Sequence, residues 1–299
     1  MRKDYDHLKP QQRRLLERGV TIIREQFAEG IKGKDWEKKK QGRILKIVLY
    51  GSMARGKAVR DLGSGYRSDF DLLIVVNHPE LTDDEFWYGV EDALTFEESL
   101  GATRYPYNII VHDLADVNDQ LHRGRPFFTD INRDGIIVHE YDPKALAKPG
   151  NLSAEEIREE ARGHFEQWYE ASIDFKKGAN FYIGENSPKR AAFSLHQAVE
   201  SAYHCVLLTL TLYSPQLHNI KKLRGMAEGL DQRLVEAWPR KTRQDRRPFE
   251  RIRRAYVEAR YSKHYTITKE DLAAAMASVE MLQGVVKMVC GERLDNREV

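Results

Sequence analysis

Near residue 150 the chain changes the period of its apolar positions. Upstream, helix-spaced and strand-like segments are mixed. Leu15, Leu16, Val20, Ile22, Ile23 and Phe27 recur as one face of a helix over residues 10–29. RILKIVLY (43–50), FDLLIVV (70–76), PYNIIVHDL (106–114) and GIIVHEYD (135–142) are short, apolar and rich in β-branched residues, as strands are. DDEFWYGVEDALTFEESLG reads as a helix that ends at Gly101, and MARGKAV (53–59) as a short helix or turn. The charged run KGKDWEKKKQG (32–42) reads as a solvated loop.

Downstream, strand signals almost vanish. Long helical patterns cover 154–184, 188–213, about 218–237, 246–260 and 269–290. The two regimes meet in DPKALAKPGNLSAEE (142–156), where two prolines and a glycine precede Ser153-x-x-Glu156, a capping-box signature. The pattern predicts an α/β domain with a mixed sheet at 1–145 and an all-α helical bundle at 146–299.

A length of 299 residues suits two domains. The 48 Lys and Arg nearly balance the 46 Asp and Glu, so a net charge of +2 gives no overall attraction to nucleic acid or membrane. Any such binding must be local. Cys205 and Cys290 suit reduced thiols better than a disulfide framework. The N-terminal residues lack the apolar core of a signal peptide, and no run approaches about 20 apolar residues. The expected address is the cytoplasm, with no membrane partner.

The first domain carries the sharper chemistry. Alternate strand residues point to one side, so Asp69 and Asp71 project together while Phe70 faces away. Two neighbouring carboxylates repel unless a cation lies between them, and Mg²⁺, an oxygen-seeking ion that bridges carboxylates to phosphates, fits. Gly51 permits a tight turn after the preceding strand, leaving backbone amides, the Ser52 hydroxyl and Arg55 to meet phosphate oxygens.

Gly-Ser, a spacer and Asp-x-Asp, here GSMARGKAVRDLGSGYRSDFD, resemble the signature of the DNA polymerase β-like nucleotidyltransferases over roughly residues 10–140. The sixteen-residue spacer is longer than in compact forms of that motif. The resemblance implies transfer of a nucleoside monophosphate from a nucleoside triphosphate such as ATP to a hydroxyl acceptor, with Asp69 and Asp71 as catalytic metal ligands in a two-Mg²⁺ site. Gly51, Ser52 and Arg55 would then hold the triphosphate. In that family a later strand supplies a third carboxylate. Here Asn108 takes its place, with His112 and Asp113 at the far end of the strand. An amide oxygen can ligate a metal but cannot accept a proton as a carboxylate does. A nucleotide-binding regulatory protein with weak catalysis is therefore an alternative.

In the helical half, His196, Glu200 and His204 recur every four residues and share a helix face. They read as a hydrogen-bonded seam or a ligand-pocket wall ahead of a metal site. PRKTRQDRRPFERIRR (239–254) packs eight Lys or Arg into sixteen positions and reads as a solvated approach to a helix ahead of a nucleic-acid track. KRAAFSLHQAVESAYHCVLLTLTLYSPQLHNI (189–220) and FERIRRAYVEARYSKHYTIT (249–268) resemble the HEPN helical bundles over about 154–291. That resemblance implies a second alternative, an RNA-targeting effector that uses Arg260 and His264, although only three residues separate them. The acceptor is left open among small molecule, protein and RNA, and the helical domain is a candidate homodimer contact.

Overall fold

The computed structural model describes residues 1–32, 41–59, 61, 66–100 and 105–296. The charged run at 33–40 and the expected helix stop at Gly101 lie outside them. Contacts divide the chain into one unit built from Met1–Arg60 and Arg67–Leu152 and another that holds Ser153–Val299.

The first unit contains α1 (Pro10–Ile31), β1 (Ile44–Tyr50), the single turn α2 (Gly51–Ala54), β2 (Phe70–Val76) and α3 (Asp84–Ser99). β3 (Tyr107–Asp113), α4 (Leu114–His122), α5 (Pro126–Asp134) and β4 (Ile136–Glu140) follow. The strands form a four-stranded sheet in the order β3-β2-β1-β4, parallel between β2 and β3 and antiparallel elsewhere.

β1 is buried along its whole length, because helices cover both faces of the sheet. Ile47, Leu49, Leu72, Ile74 and Ile109 join Leu16, Ile23 and Phe27 of α1 and Trp87, Val90 and Leu94 of α3 in one core. The one cation in β1, Lys46, is buried and satisfied: its Nζ donates to Glu140 Oε1 at 2.7 Å and to the Asp142 carbonyl at 2.6 Å.

α4 and α5 are helices that the apolar periodicity does not announce. Their starts are nonetheless written locally. Asp113 caps α4 by accepting from the amides of Ala115 and Asp116, and Pro126 opens α5 with the fixed φ that a first helical turn prefers.

The second unit is helical among its described residues: α6 (Ala154–Gly184), α7 (Pro188–Thr211), α8 (Ile220–Leu230), α9 (Arg243–Tyr261) and α10 (Lys269–Asp295). α7 is its core element, with Leu195, Val199, Ala202, Tyr203 and Val206 fully buried. The helix expected over 218–237 is broken at Asp231, whose extended backbone ends α8 and whose carboxylate caps a 3-10 turn at Gln232–Ala237. α9 starts earlier than expected because Thr242 and Asp245 form a capping box ahead of Pro248. α10 continues past 290 to Asp295 and is long and apolar enough to cross a membrane by length and composition alone, a test that core helices also pass.

The capping box at Ser153 forms as expected: Glu156 accepts from the Ser153 amide at 2.8 Å and Ser153 Oγ accepts from the Glu156 amide at 3.2 Å. Ser153→Ala is expected to cost about 1 kcal/mol. The check is a lowered denaturant midpoint of the helical signal with an unchanged slope.

Candidate functional site

In the first unit the candidate site forms where three strand ends meet one turn. Asp71 is opposite Tyr50 on β1 and opposite Asn108 on β3, so the last residue of β1 delivers the chain to the turn beside the carboxylate. Gly51 then takes a φ of +72°, and a Cβ there would lie 2.3 Å from Asp71 Oδ2. Both facts demand glycine.

Asn108 joins the two aspartates. Its Nδ2 donates to Asp69 Oδ2 at 2.8 Å and reaches Asp71 Oδ1 at 3.4 Å. Burial pushes the Asp71 carboxyl from its ordinary 3.8 up to about 7, against the opposing pull of the Asn108 bond and the Arg55 charge. Arg55 thus acts on the site electrostatically, though its side chain is exposed. Ser52 lies partly exposed on α2, where its carbonyl accepts from the Lys57 amide at 2.9 Å.

The turn is braced from the N-terminal segment, a contact no local pattern announces. His7 Nε2 lies 2.9 Å from the Met53 carbonyl, and Arg2 donates to the Ala54 carbonyl. The Met53 carbonyl also accepts from the Gly56 amide at 3.2 Å, so the N-terminal segment adds a second contact to the end of the turn.

Among the described residues no three of His, Cys, Asp and Glu gather as a metal site. The donors at this site are two carboxylates and one amide. A half-turn of the Asn108 amide exchanges Nδ2 for Oδ1 and makes the set all oxygen, which is the chemistry a hard cation takes.

A second polar cluster forms around Glu200 in α7. Its Oε1 is 3.0 Å from His218 Nδ1, and its Oε2 accepts from Gln197 Nε2 at 3.1 Å. His196 Nε2 is 3.3 Å from Oε2, within ion-pair range but without hydrogen-bond angles, while its Nδ1 is 3.1 Å from the Ile252 carbonyl. Burial pushes the Glu200 carboxyl up, yet the close approach of His196 and the bonds from His218 and Gln197 outweigh it and hold the group below its ordinary value. His204, one turn on, pairs instead with Ser214 Oγ at 2.6 Å and packs against Trp168, and burial lowers its pKa.

Tyr256 of α9 links this cluster to a cation. His218 stacks on its ring at 4.6 Å, His196 lies at 5.1 Å, and the Arg260 guanidinium lies 4.5 Å from the ring centre. Arg260 also lies over Phe193 and Tyr261.

Residues 165–289 match the HEPN domain family model. No curated protein matches the chain. The HEPN region runs from within α6 to within α10 and contains the whole Glu200 cluster.

Within the HEPN domain, the expected site residues fall in two places. Arg260, His196 and Glu200 converge around Tyr256, whereas His264 sits on the exposed turn after α9, its amide donating to Ser262 Oγ at 3.2 Å. His218 and Tyr256 are the members that sequence spacing did not connect to the cluster. His218 is 18 residues from Glu200, and no helical repeat relates them. Half of the eight cations in the basic run at 239–254 are paired within the domain: Arg240 with Glu228, Arg247 with Asp271, Arg253 with Glu250 and Arg254 with Glu258.

Two predictions follow from the first site. Gly51→Ala forces a left-handed backbone and a collision with Asp71, so it should destabilise the first unit by about 1–3 kcal/mol in chemical denaturation. The second concerns pH. Between 3.8 and about 7 the folded chain holds a proton on Asp71 that the unfolded chain has lost, so this group's contribution to stability falls as pH rises through that window. In metal-free buffer Asp71→Asn should therefore raise Tm over the native protein more at about pH 8 than at about pH 5. An equal shift at both would refute the assignment.

Proposed function

We propose that the first unit is an Mg²⁺-dependent nucleotidyltransferase that moves a nucleoside monophosphate from a nucleoside triphosphate, ATP in the first instance, to a hydroxyl acceptor. The observation that carries the reading is Gly51 held at positive φ against Asp71, with Asp69 joined to the same Asn108 amide. A glycine turn and a pair of carboxylates thereby lie side by side, which supports reading the turn as the phosphate side of the site.

Asp69 and Asp71 would hold Mg²⁺, with the Asn108 amide oxygen as a third donor. When bound, the ion supplies charge neutralisation for the phosphates and for the leaving pyrophosphate. The Gly51-Ser52 turn and the Arg55 charge orient the triphosphate so that the acceptor oxygen attacks the α-phosphorus in line. The new oxygen–phosphorus bond forms as the α–β bridge breaks, pyrophosphate departs, and the acceptor's proton goes to solvent. Asn108 can position these groups but takes no proton from the acceptor. This favours slower turnover than a third carboxylate would support, and it keeps the nucleotide-binding regulatory alternative in view.

The test is equilibrium binding of labelled ATP with and without Mg²⁺, alongside pyrophosphate release. Mg²⁺-dependent binding that disappears in the Asp69→Asn, Asp71→Asn double variant is expected. Asn108→Asp should tighten Mg²⁺-dependent binding and lower Tm without the ion, because three carboxylates then repel one another. Binding that is indifferent to all three positions would remove the site.

A second reading applies to the HEPN domain and is favoured by one observation. Glu200 engages Nδ1 of His218, leaving Nε2 as the outer nitrogen of a ring whose side chain is 58% exposed, and Arg260 shares the Tyr256 ring. A carboxylate-oriented imidazole and a guanidinium that pack on one tyrosine ring suit proton transfer and phosphate binding in RNA cleavage by an adjacent 2′-hydroxyl. The 2′-oxygen would attack phosphorus and the 5′-oxygen would leave with the proton that His218 relays. Incubation with labelled single-stranded RNA should then give cleavage that His218→Ala lowers at least about 100-fold. Cleavage that survives this change but is lost in His264→Ala would place the chemistry on the other histidine.

A further inference from the structure

The loop between α7 and α8 holds a serine against a buried histidine, and neither function proposed above uses the pair. Ser214 Oγ lies 2.6 Å from His204 Nδ1, within the reach of a nucleophile and its base. His204 is 7% exposed, and Trp168 of α6 packs on its ring at 4.8 Å. The Leu217 carbonyl also bonds the ring. Burial, joined by the nearby His218, holds the imidazole below its ordinary 6.5 against the pull of Glu200 and of that carbonyl. At pH 7 the ring is therefore neutral and able to take a proton.

The backbone fixes the serine from both sides. Leu212 ends α7 at a φ of +52°, a left-handed conformation that a leucine adopts only where its surroundings impose it. The Tyr213 amide donates to Thr211 Oγ1 at 3.3 Å, and the Thr211 hydroxyl donates to the Leu207 carbonyl at 2.7 Å. Pro215 follows and confines Ser214 to extended backbone. Pro215 has no N–H, and among the described residues the amides of Ser214 and Gln216 donate to no protein acceptor. Donors beside the hydroxyl are what the oxyanion of a tetrahedral adduct requires.

We propose that Ser214 is a catalytic nucleophile toward carboxylic esters, with His204 in its Nε2–H tautomer as the general base at Nδ1. Ser214 Oγ bonds the ester carbon while Nδ1 takes the hydroxyl proton. The carbon–alkoxy bond then breaks, and the leaving oxygen receives that proton and departs as an alcohol. Water, deprotonated at the same Nδ1, releases the acid and restores Ser214. The loop itself selects an acyl group over a phosphate: residues 212–220 carry no Lys or Arg, and Leu212, Tyr213 and Leu217 flank the serine with apolar surface. This activity is independent of nucleotidyl transfer and of RNA cleavage, and needs neither.

The test treats the full chain with an alkyl fluorophosphonate, which bonds an activated serine through phosphorus as fluoride leaves, and with p-nitrophenyl acetate. The native protein should carry the label on Ser214 by peptide mass spectrometry and release one equivalent of nitrophenolate in a burst. Ser214→Ala should lose both, and His204→Gln should slow labelling at least about 100-fold. Because His204 is buried, the native chain is also labelled in urea, where the label at Ser214 should disappear. Nitrogen NMR of the histidines should show His204 with its hydrogen on Nε2. A native Ser214 that stays unlabelled overturns the proposal, as does a label that persists in urea or in folded His204→Gln. A His204 hydrogen on Nδ1 overturns it as well, since the serine would then only accept a bond and cap the loop.

Discussion

A carboxylate packed against a glycine that has no room for a Cβ governs the first unit. Gly51 must be glycine twice over, because its φ is left-handed and because Asp71 occupies the space beside it. The arrangement holds only if β1 and β2 stay in the register that sets Tyr50 opposite Asp71, and if β3 pairs parallel to β2 so that Asn108 arrives on the other side. Register in turn rests on the buried apolar faces of the strands, since a slip of one residue would turn Ile47, Leu49, Leu72 and Ile74 out of their core. The apolar packing and the polar site are therefore one construction.

The Glu200 cluster of the HEPN region solves a related problem differently. A buried carboxylate stays charged when enough partners surround it, and His218 and Gln197, with His196 in ion-pair range, provide them. At Asp71, desolvation outweighs the Asn108 bond and the Arg55 charge, and the group is pushed toward neutral pH. At Asp71 burial wins over the surrounding partners, whereas at Glu200 the partners win over burial. That contrast is the physical reason for reading the first as a cation and phosphate site and the second as an oriented imidazole.

The alternation at Asp69-Phe70-Asp71, the apolar run after it and the Gly-Ser turn were legible because strand and turn geometry are local. The role of Asn108 was legible as a substitution in a pattern, but its bonds to both aspartates required the β2 and β3 register. His7 and Arg2, which hold the carbonyls of the turn, had no local signal, because the residues they bind are 46 and 52 positions away. His218 escaped for a similar reason. Its partner Glu200 lies on α7, and only the packing of α7 with the segment before α8 joins them. α4 and α5 were missed because two short helices offer too few turns for a period to emerge, even with Asp113 and Pro126 marking their starts.

By itself the sequence determined the change from mixed strands and helices to helices alone, the capping box at Ser153, and the paired aspartates with their glycine turn. These depend on periods of two and 3.6 residues and on backbone preferences that act over a few positions. Only the tertiary structure decided that Arg260 joins Tyr256 and the Glu200 cluster while His264 stays on an exposed turn, that half of the cations in the Arg-rich run are paired with acidic neighbours, and that one face of α10 is exposed. Such outcomes depend on which distant residues share a surface, and packing sets that where periodicity cannot.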